Sequence, residues 1–276
     1  MHAANDSNIQ RPLCLVTGAN TGIGFEVARG LARSGFRVVL ACRDQAKGEA
    51  ARNTIASEFR DSDIETLVVD LASQTSIRSA AQEFSRKHDV LDVLVNNAGM
   101  SSPKRRESPE GIELTFATNV LGYHLLTGEL LELLRRAPAA RVINTASMMA
   151  YGLDLDDVNF KRRRYDASTA YAQSKQADRM LTWALARRLA GTSVTANALH
   201  PGVVNTALLR AFAPGNSGIT TAEGADTAIW LATSPEVAGV SGRLWARRHE
   251  TPCEFRGREN EEALWAVCER MTAGQY

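Results

Sequence analysis

The chain reads as a doubly wound α/β domain, a parallel sheet of about seven strands with helices on both faces. Two observations predict this. Short apolar runs of strand length alternate with longer amphipathic runs of helix length along the 276 residues, and the glycine-rich stretch Thr17-Gly18-Ala19-Asn20-Thr21-Gly22-Ile23-Gly24 joins the first apolar run to the first helical one. Right-handed crossovers between parallel strands place a ligand crevice at the carboxyl ends of the strands. No fixed-period repeat or low-complexity segment interrupts the alternation, so residues 1–276 read as one domain.

The first strand, Leu13–Val16, is continuously apolar, as a strand covered on both faces must be. The helix Gly22–Arg33 follows from Phe25, Val27, Ala28 and Leu31, which recur at helical spacing. Strands are then expected over Arg37–Ala41, Glu65–Val69 and Val90–Val95, separated by helices over Asp44–Phe59 and Gln74–Lys87. Asp44 reads as an N-cap, and Asp70 as a cap for the helix near Gln74, because short acidic side chains accept the free N–H groups of a first turn. One long helix is expected over Pro109–Leu134. After it come the strand Arg141–Thr145, the helix Ser168–Leu189, the strand Ser193–Leu199, the helix Ala222–Ala232, the strand Gly242–Ala246 and the helix Glu261–Met271.

Composition excludes several classes. Net charge is +1, which gives no field for nucleic acid or an anionic membrane surface. The basic runs Lys104-Arg105-Arg106 and Lys161-Arg162-Arg163-Arg164 fall in expected loops and read as solvated, with attraction of an anionic substrate as the other reading. Four cysteines make no disulfide scaffold in a chain this long, and neither they nor the five scattered histidines have metal-ligand spacing, so no metal is expected. The polar start, Met1 to Arg11, contains no apolar segment of signal or membrane-spanning length; a cytoplasmic location without membrane attachment is the expectation.

Two segments carry chemistry. The order strand, glycine turn, helix suits a dinucleotide: glycines let the backbone approach a pyrophosphate, and the N–H groups and dipole of the next helix stabilise its charge. The spacing departs from the common Gly-x-Gly-x-x-Gly fingerprint, and a glycine turn alone also serves as a plain connector. The second segment is Tyr171-Ala-Gln-Ser-Lys175. Residues four apart share a helix face, so the Lys175 cation can stabilise the phenolate of Tyr171, a group that otherwise titrates near pH ~10. Tyr165 has Thr169, not lysine, four positions later and is excluded from this role.

Together these residues resemble the short-chain dehydrogenase/reductase family in its classical form, whose loop is Thr-Gly-x-x-x-Gly-x-Gly and whose catalytic pair is Tyr-x-x-x-Lys. The resemblance extends to Asp70, the run Asn96-Asn97-Ala98-Gly99, Asn119, Ser147 and Pro201-Gly202 followed by Thr206. Gly122-Tyr123-His124-Leu125-Leu126, the stretch from Glu223 to Gly242, and Leu264-Trp265 look like the retinol-dehydrogenase-like branch. Some of those relatives carry an N-terminal membrane anchor, which is not expected here.

The resemblance implies a Rossmann-type fold and an oxidoreductase that interconverts a carbonyl and an alcohol. Tyr171 is then the proton donor or acceptor, Lys175 holds the nicotinamide ribose and assists Tyr171, and Ser147 hydrogen-bonds the substrate oxygen. Asn119 would hold a water that relays protons from Lys175. The cofactor set implied is Gly18, Asn20, Thr21, Gly22, Ile23, Gly24, Arg43, Asp70, Leu71, Asn97, Ala98, Gly99, Tyr171, Lys175, Pro201, Gly202, Val204 and Thr206.

Cofactor choice turns on the end of the second strand, where an acid binds ribose hydroxyls and a base accommodates an added phosphate. The family's usual acid position falls at Cys42 and is followed by Arg43, so NADP(H) is expected, with NAD(H) possible. An NAD-linked alcohol dehydrogenase on the same fold, and a non-catalytic dinucleotide-binding sensor or scaffold, are the alternatives. For substrate, Ser147, Met149, Tyr171, Val203 and Leu208 are the expected contacts, in a largely apolar pocket for a small ketone or aldehyde. Residues 206–220, with Leu208, Leu209 and Phe212 beside Pro214-Gly215-Asn216-Ser217-Gly218, read as a substrate lid. Family members often pair through the long helices, which implies a homodimer or homotetramer.

Overall fold

A computed structural model describes residues 11–212, 215 and 217–272, with the side chains of Ala211 and Phe212 excepted. Among them, eight strands form one sheet in the order β3-β2-β1-β4-β5-β6-β7-β8. The strands are β1 (Leu13–Thr17), β2 (Arg37–Cys42), β3 (Ile64–Val68), β4 (Val93–Asn96), β5 (Arg141–Thr145), β6 (Thr195–His200), β7 (Leu244–Ala246) and β8 (His249–Glu250). All pairings are parallel except β7–β8. The order reverses between β1 and β4, the switch point at which a doubly wound sheet opens a crevice.

The expected sheet therefore gains one strand. The β8 strand pairs Trp245 with Glu250 and Ala246 with His249, leaving Arg247 and Arg248 as a two-residue turn, both at positive φ (50° and 62°). Such turns are normally signalled by Asn-Gly or Asp-Gly. Here tertiary contacts hold the arginine instead: Arg248 donates its backbone N–H to Thr227 Oγ1 at 3.2 Å and pairs its guanidinium with Asp226.

The helices are α1 (Gly22–Arg33), α2 (Gln45–Glu58), α3 (Gln74–Lys87), α4 (Leu114–Phe116), α5 (Gly122–Glu129), α6 (Leu131–Arg136), α7 (Ala167–Arg188), α8 (Ala207–Phe212), α9 (Thr221–Thr233) and α10 (Arg258–Thr272). Asp44 caps α2 as expected, accepting from Lys47 N at 3.0 Å. The cap of α3 is Ser73, not Asp70. Asp70 instead folds its carboxylate onto its own turn, accepting from Ala72 N at 3.0 Å.

The long helix expected over Pro109–Leu134 starts only at Leu114 and passes through a π-helical turn at Ala117–Leu121 before α5. Its apolar periodicity is continuous enough to hide the extra residue. Residues 206–220 include α8 and a bridge between Val204 and Ile219; within the expected lid, Ala213, Pro214, Asn216 and the Phe212 side chain lie outside the described residues.

Alternating β1 side chains enter two cores. Leu13 and Leu15 join the cluster beneath α3, α5, α7 and α10, whereas Cys14 and Val16 join that beneath α1, α2 and α9. The central helix α7 is buried on almost every side from Ala172 to Leu185, because α10 packs on it opposite the sheet-facing contacts. Trp265 of α10 meets His124 of α5 edge-on at 4.7 Å and carries the Arg188 guanidinium 3.9 Å above its ring. No helix among the described residues is long and apolar enough to cross a membrane.

Candidate active site

A cleft of about 770 Å³ opens at the carboxyl ends of β1, β2, β4 and β5. Its first wall is the glycine turn. Gly18 and Gly22 take positive φ (66° and 62°), which lets the chain turn from β1 into α1. At Gly24 a Cβ would lie 2.4 Å from Gly18 O and 2.5 Å from Asn97 Nδ2, so no larger residue fits this helix start. Thr21 N-caps α1 without a side-chain bond, leaving first-turn N–H groups beside Gly22, Ile23 and Gly24, all on the cleft wall. A turn this tight with an uncapped helix N-terminus fits a dinucleotide pyrophosphate.

The wall continues through Arg43, Asp70, Leu71, Asn97, Ala98 and Gly99. Asn97 and Ala98 are tied to β1: both backbone N–H groups donate to Thr17 Oγ1 (2.9 and 3.0 Å), and Asn97 Nδ2 donates to Thr17 O at 3.0 Å. Arg43 is exposed at the cleft edge, and among the described residues no carboxylate pairs with it; Asp44 turns to Lys47 instead. Cys42 is buried against the α2 glycine Gly48, whose Cβ would lie 2.5 Å from its sulfur.

Tyr171 and Lys175 project from α7 into the same cleft beside Thr145 and Ala146. Lys175 is buried, donating to Thr145 O and to Asp178 Oδ2, both at 2.8 Å. Burial, the largest single influence, opposes its charge, but the Asp178 carboxylate together with the Tyr123 and Tyr171 hydroxyls outweighs it and raises the lysine above its ordinary range. Ser147 is half-buried just past Ala146. Its Oγ accepts from Met149 N at 3.1 Å, so its O–H hydrogen is left to donate, and its carbonyl is gripped by the fully buried Arg179.

Asn119 sits in the π-helical turn, fully buried behind the cleft rather than on its surface. Oδ1 accepts from Met100 N (2.9 Å), while Nδ2 donates to Met100 O (2.9 Å) and Ser174 Oγ (3.0 Å). A π turn at a functional position is a recurrent use of that irregularity. A Cβ on Gly99 would stand 3.7 Å from both Asn119 Oδ1 and Lys175 Nζ, so the two groups flank one glycine.

Pro201, Thr206 and Leu208 close the remaining side of the cleft. Several expected contacts do not line it: Ser147 lies just beyond the Thr145–Ala146 wall, as Asn119 lies behind it, and four more point away. Val204 is buried against Gly224, and Gly202, at φ 94°, packs toward Ile219. Val203 is 53% exposed, its carbonyl held by Ile219 N at 2.8 Å, and Met149 stays beside Ser147 off the cleft wall. Gly202 was expected as part of the Pro201-Gly202 motif and the other three from their place beside motif residues; none of the four lines the cleft. Tyr165 donates to Ser102 O at 2.8 Å, a structural bond consistent with its exclusion.

Sequence reasoning missed Arg106, Arg210, Asp178 and Arg179. Arg106 and Arg210 line the cleft, which adds cations to Arg43 and Lys175. Arg106 belongs to a run read as solvated; its place just after Asn96–Gly99 was the available signal. The other basic run is also folded, in part: Asp157 accepts from the backbone N–H groups of Lys161, Arg162 and Arg163, and Arg163 stacks over Phe160. Among the described residues no cluster of three His, Cys, Asp or Glu side chains could hold a metal.

The family model described as short chain dehydrogenase matches residues 12–216. Retinol dehydrogenase 13 of Homo sapiens is 38% identical over 275 residues, covering 93% of this chain and 83% of the relative. Among solved structures, an uncharacterized protein from Mycobacterium paratuberculosis superposes with a TM-score of 0.80 at 32% identity, covering 97% of this chain and 95% of that one. The Pseudomonas aeruginosa RhlG/NADP active-site complex superposes with a TM-score of 0.71 at 29% identity, covering 84% and 93%.

Proposed function

The chain belongs to the short-chain dehydrogenase family, in its retinol-dehydrogenase-like branch, as an NAD(P)-dependent oxidoreductase of CH–OH and C=O groups, and we propose that it prefers NADP(H) and reduces or forms an apolar aldehyde or ketone. The observation that carries the cofactor reading is Arg43, exposed at the cleft edge without a carboxylate partner among the described residues, following a buried Cys42 where an acid would select NAD. The NADP-bound relative supports the same reading.

A bound nicotinamide would exchange a hydride with the substrate carbon. The protein's own part is proton transfer and positioning. Tyr171 supplies the proton to the carbonyl oxygen in reduction and removes it in oxidation. Ser147, with its carbonyl pinned by Arg179 and its hydroxyl hydrogen available, hydrogen-bonds that oxygen as charge develops. Lys175 would face the nicotinamide ribose, while Asn119 holds the Met100 backbone on the other side of Gly99. Glycines 18, 22 and 24 with the α1 N-terminus would hold the pyrophosphate, and Asp70, Leu71 and Asn97–Gly99 would hold the adenosine.

Leu208, with the exposed Met148 and Tyr151 nearby in sequence to Ser147, supports an apolar substrate. We read the 206–220 segment as the element that closes over it; hydrogen exchange slowed at Thr206–Arg210 by NADP(H) plus a substrate analogue supports this, and unchanged exchange rejects it. A panel of aldehydes and ketones followed by NADPH absorbance tests the activity. Turnover with NADH alone would sink the cofactor assignment, and none with either cofactor would favour the sensor or scaffold. A cytoplasmic location belongs to the same proposal.

The face through which α5 and α7 would pair two copies is occupied by α10 of the same chain. We therefore propose a monomer in place of the expected homodimer or homotetramer.

A further inference from the structure

Asp178 stands between the cofactor cleft and a second, smaller cavity. Its Oδ2 accepts from Lys175 at 2.8 Å, whereas its Oδ1 is shielded from solvent and has no hydrogen-bond partner. An ionised oxygen left in that state costs free energy, which calls for a partner. The side chain lines a cavity with about 20 Å³ of space a water centre can occupy, walled by buried residues of α5, β5, α7 and α10. That is room for one water.

The polar groups around that cavity suit a water. Thr127 Oγ1 accepts from Asn96 Nδ2 at 3.0 Å and keeps its hydroxyl hydrogen to offer. Asn144 accepts from Asn96 and donates one amide hydrogen to Thr182 Oγ1 at 2.9 Å, keeping the second. With Asp178 Oδ1 as acceptor, a water here has the two to four partners that buried waters take. Lys175 meanwhile has three N–H donors, two already committed to Thr145 O and Asp178.

We propose that Asp178 is a positioning residue for the oxidoreductase reaction: completed by one water in the adjoining cavity, it is the internal counter-ion that keeps Lys175 charged and leaves it a single N–H to face the cofactor. The inference rests on the reading that Lys175 meets the nicotinamide ribose. Three other titratable groups facing the pair, Tyr123, Cys268 and His124, are held in their neutral forms. Burial pushes the Tyr123 hydroxyl and the Cys268 thiol up, and pushes His124 down to about 3 with help from the Arg188 charge. Tyr171 faces Lys175 at 6.0 Å from its ring centre. Among the described residues Lys175 is the one cation within ion-pair distance of Asp178. Burial pushes the Asp178 carboxyl up from its ordinary range, and the Lys175 charge pulls it back down.

Removing the carboxylate leaves a buried ammonium without a counter-charge, which favours its neutral form. NADPH dissociation constants between about pH 7 and about pH 10 should therefore separate wild type from Asp178→Asn, which preserves side-chain size. Within that window the variant should lose NADPH affinity as pH rises while wild type, with its Lys175 midpoint above about 10.4, keeps it; Asp178→Ala should behave like Asp178→Asn, and Lys175→Met should show no such step. The alkaline limb of kcat/KM for carbonyl reduction should move with it. Superimposable NADPH-affinity profiles, with only a lower Tm, would make Asp178 merely structural and overturn the proposal. Should neither Asp178 variant fold, NMR of 13Cε-lysine in the wild type decides: a Lys175 midpoint above about 10.4 is expected, and one at or below it refutes the idea. Neither binding nor NMR needs a substrate, so a wild type that binds NADPH but turns over no carbonyl counts against the proposed activity and not against this assignment.

Discussion

The Lys175 ammonium lies 6.0 Å from the centre of the Tyr171 ring and 5.3 Å from that of Tyr123, so one cation serves two phenols. Only one can meet a substrate. Tyr123 is buried and donates its hydroxyl to Ala98 O at 2.7 Å, whereas Tyr171 lines the cleft.

Tyr171→Phe should accordingly keep NADPH affinity while turnover falls roughly a hundredfold or more, the scale of a lost general acid. Steady-state kinetics with fluorescence titration of the cofactor measure both. Turnover near that of wild type would mean that another group moves the proton.

Arg43→Ala should weaken NADPH binding roughly tenfold or more, the worth of a charge-assisted contact, and leave NADH almost unchanged. Isothermal titration with each cofactor reads the difference. Equal losses would assign Arg43 to support of the β2–α2 loop.

Much of this site was legible because it is local. The glycine turn and its flanking strand and helix lie within Leu13–Arg33, and Tyr171 and Lys175 share one helix turn, so spacing alone brings them together. What escaped was set by distant partners. The π turn at Asn119 is fixed by bonds to Met100 and Ser174, and the turn at Arg247-Arg248 by Asp226 and Thr227. Arg179 reaches Ser147 across the fold, and no periodicity marks a buried arginine as anything but a break in an apolar face. Strand ends shifted by one to three residues for the same reason: ladder partners, not composition, decide where pairing stops.

His200 makes the fold acid-sensitive. Burial, then the Arg179 and Arg247 charges, push its imidazole down to about 4, and its Nδ1 accepts from Met148 N at 3.2 Å. The unfolded chain takes up that proton near pH ~6.5. A folded value below the unfolded one gives stability that is present above pH ~6.5 and lost as pH falls toward 4. Between pH 7 and 5 this residue should cost about 2 kcal/mol of unfolding free energy. Urea denaturation of wild type and His200→Gln at both pH values checks it, the variant losing less; equal losses would place the acid sensitivity elsewhere.

Light scattering coupled to size exclusion should return the mass of one 30.0 kDa chain. Two charges on Trp265→Asp and Leu264→Asp should loosen α10, lower Tm and expose apolar surface of α7, promoting association rather than abolishing it. A stable wild-type dimer across working concentrations would show that a different surface pairs.

The two-residue strand β8 bears on solubility. A sheet edge offers unpaired N–H and C=O groups to any other extended chain, and long flat edges template fibrils. This edge ends after His249 and Glu250, both exposed, with Arg247 and Arg248 in the turn and Arg243 paired to Glu250 at 2.9 Å. Its brevity and density of charge give an incoming strand little to zip against on the side of β8.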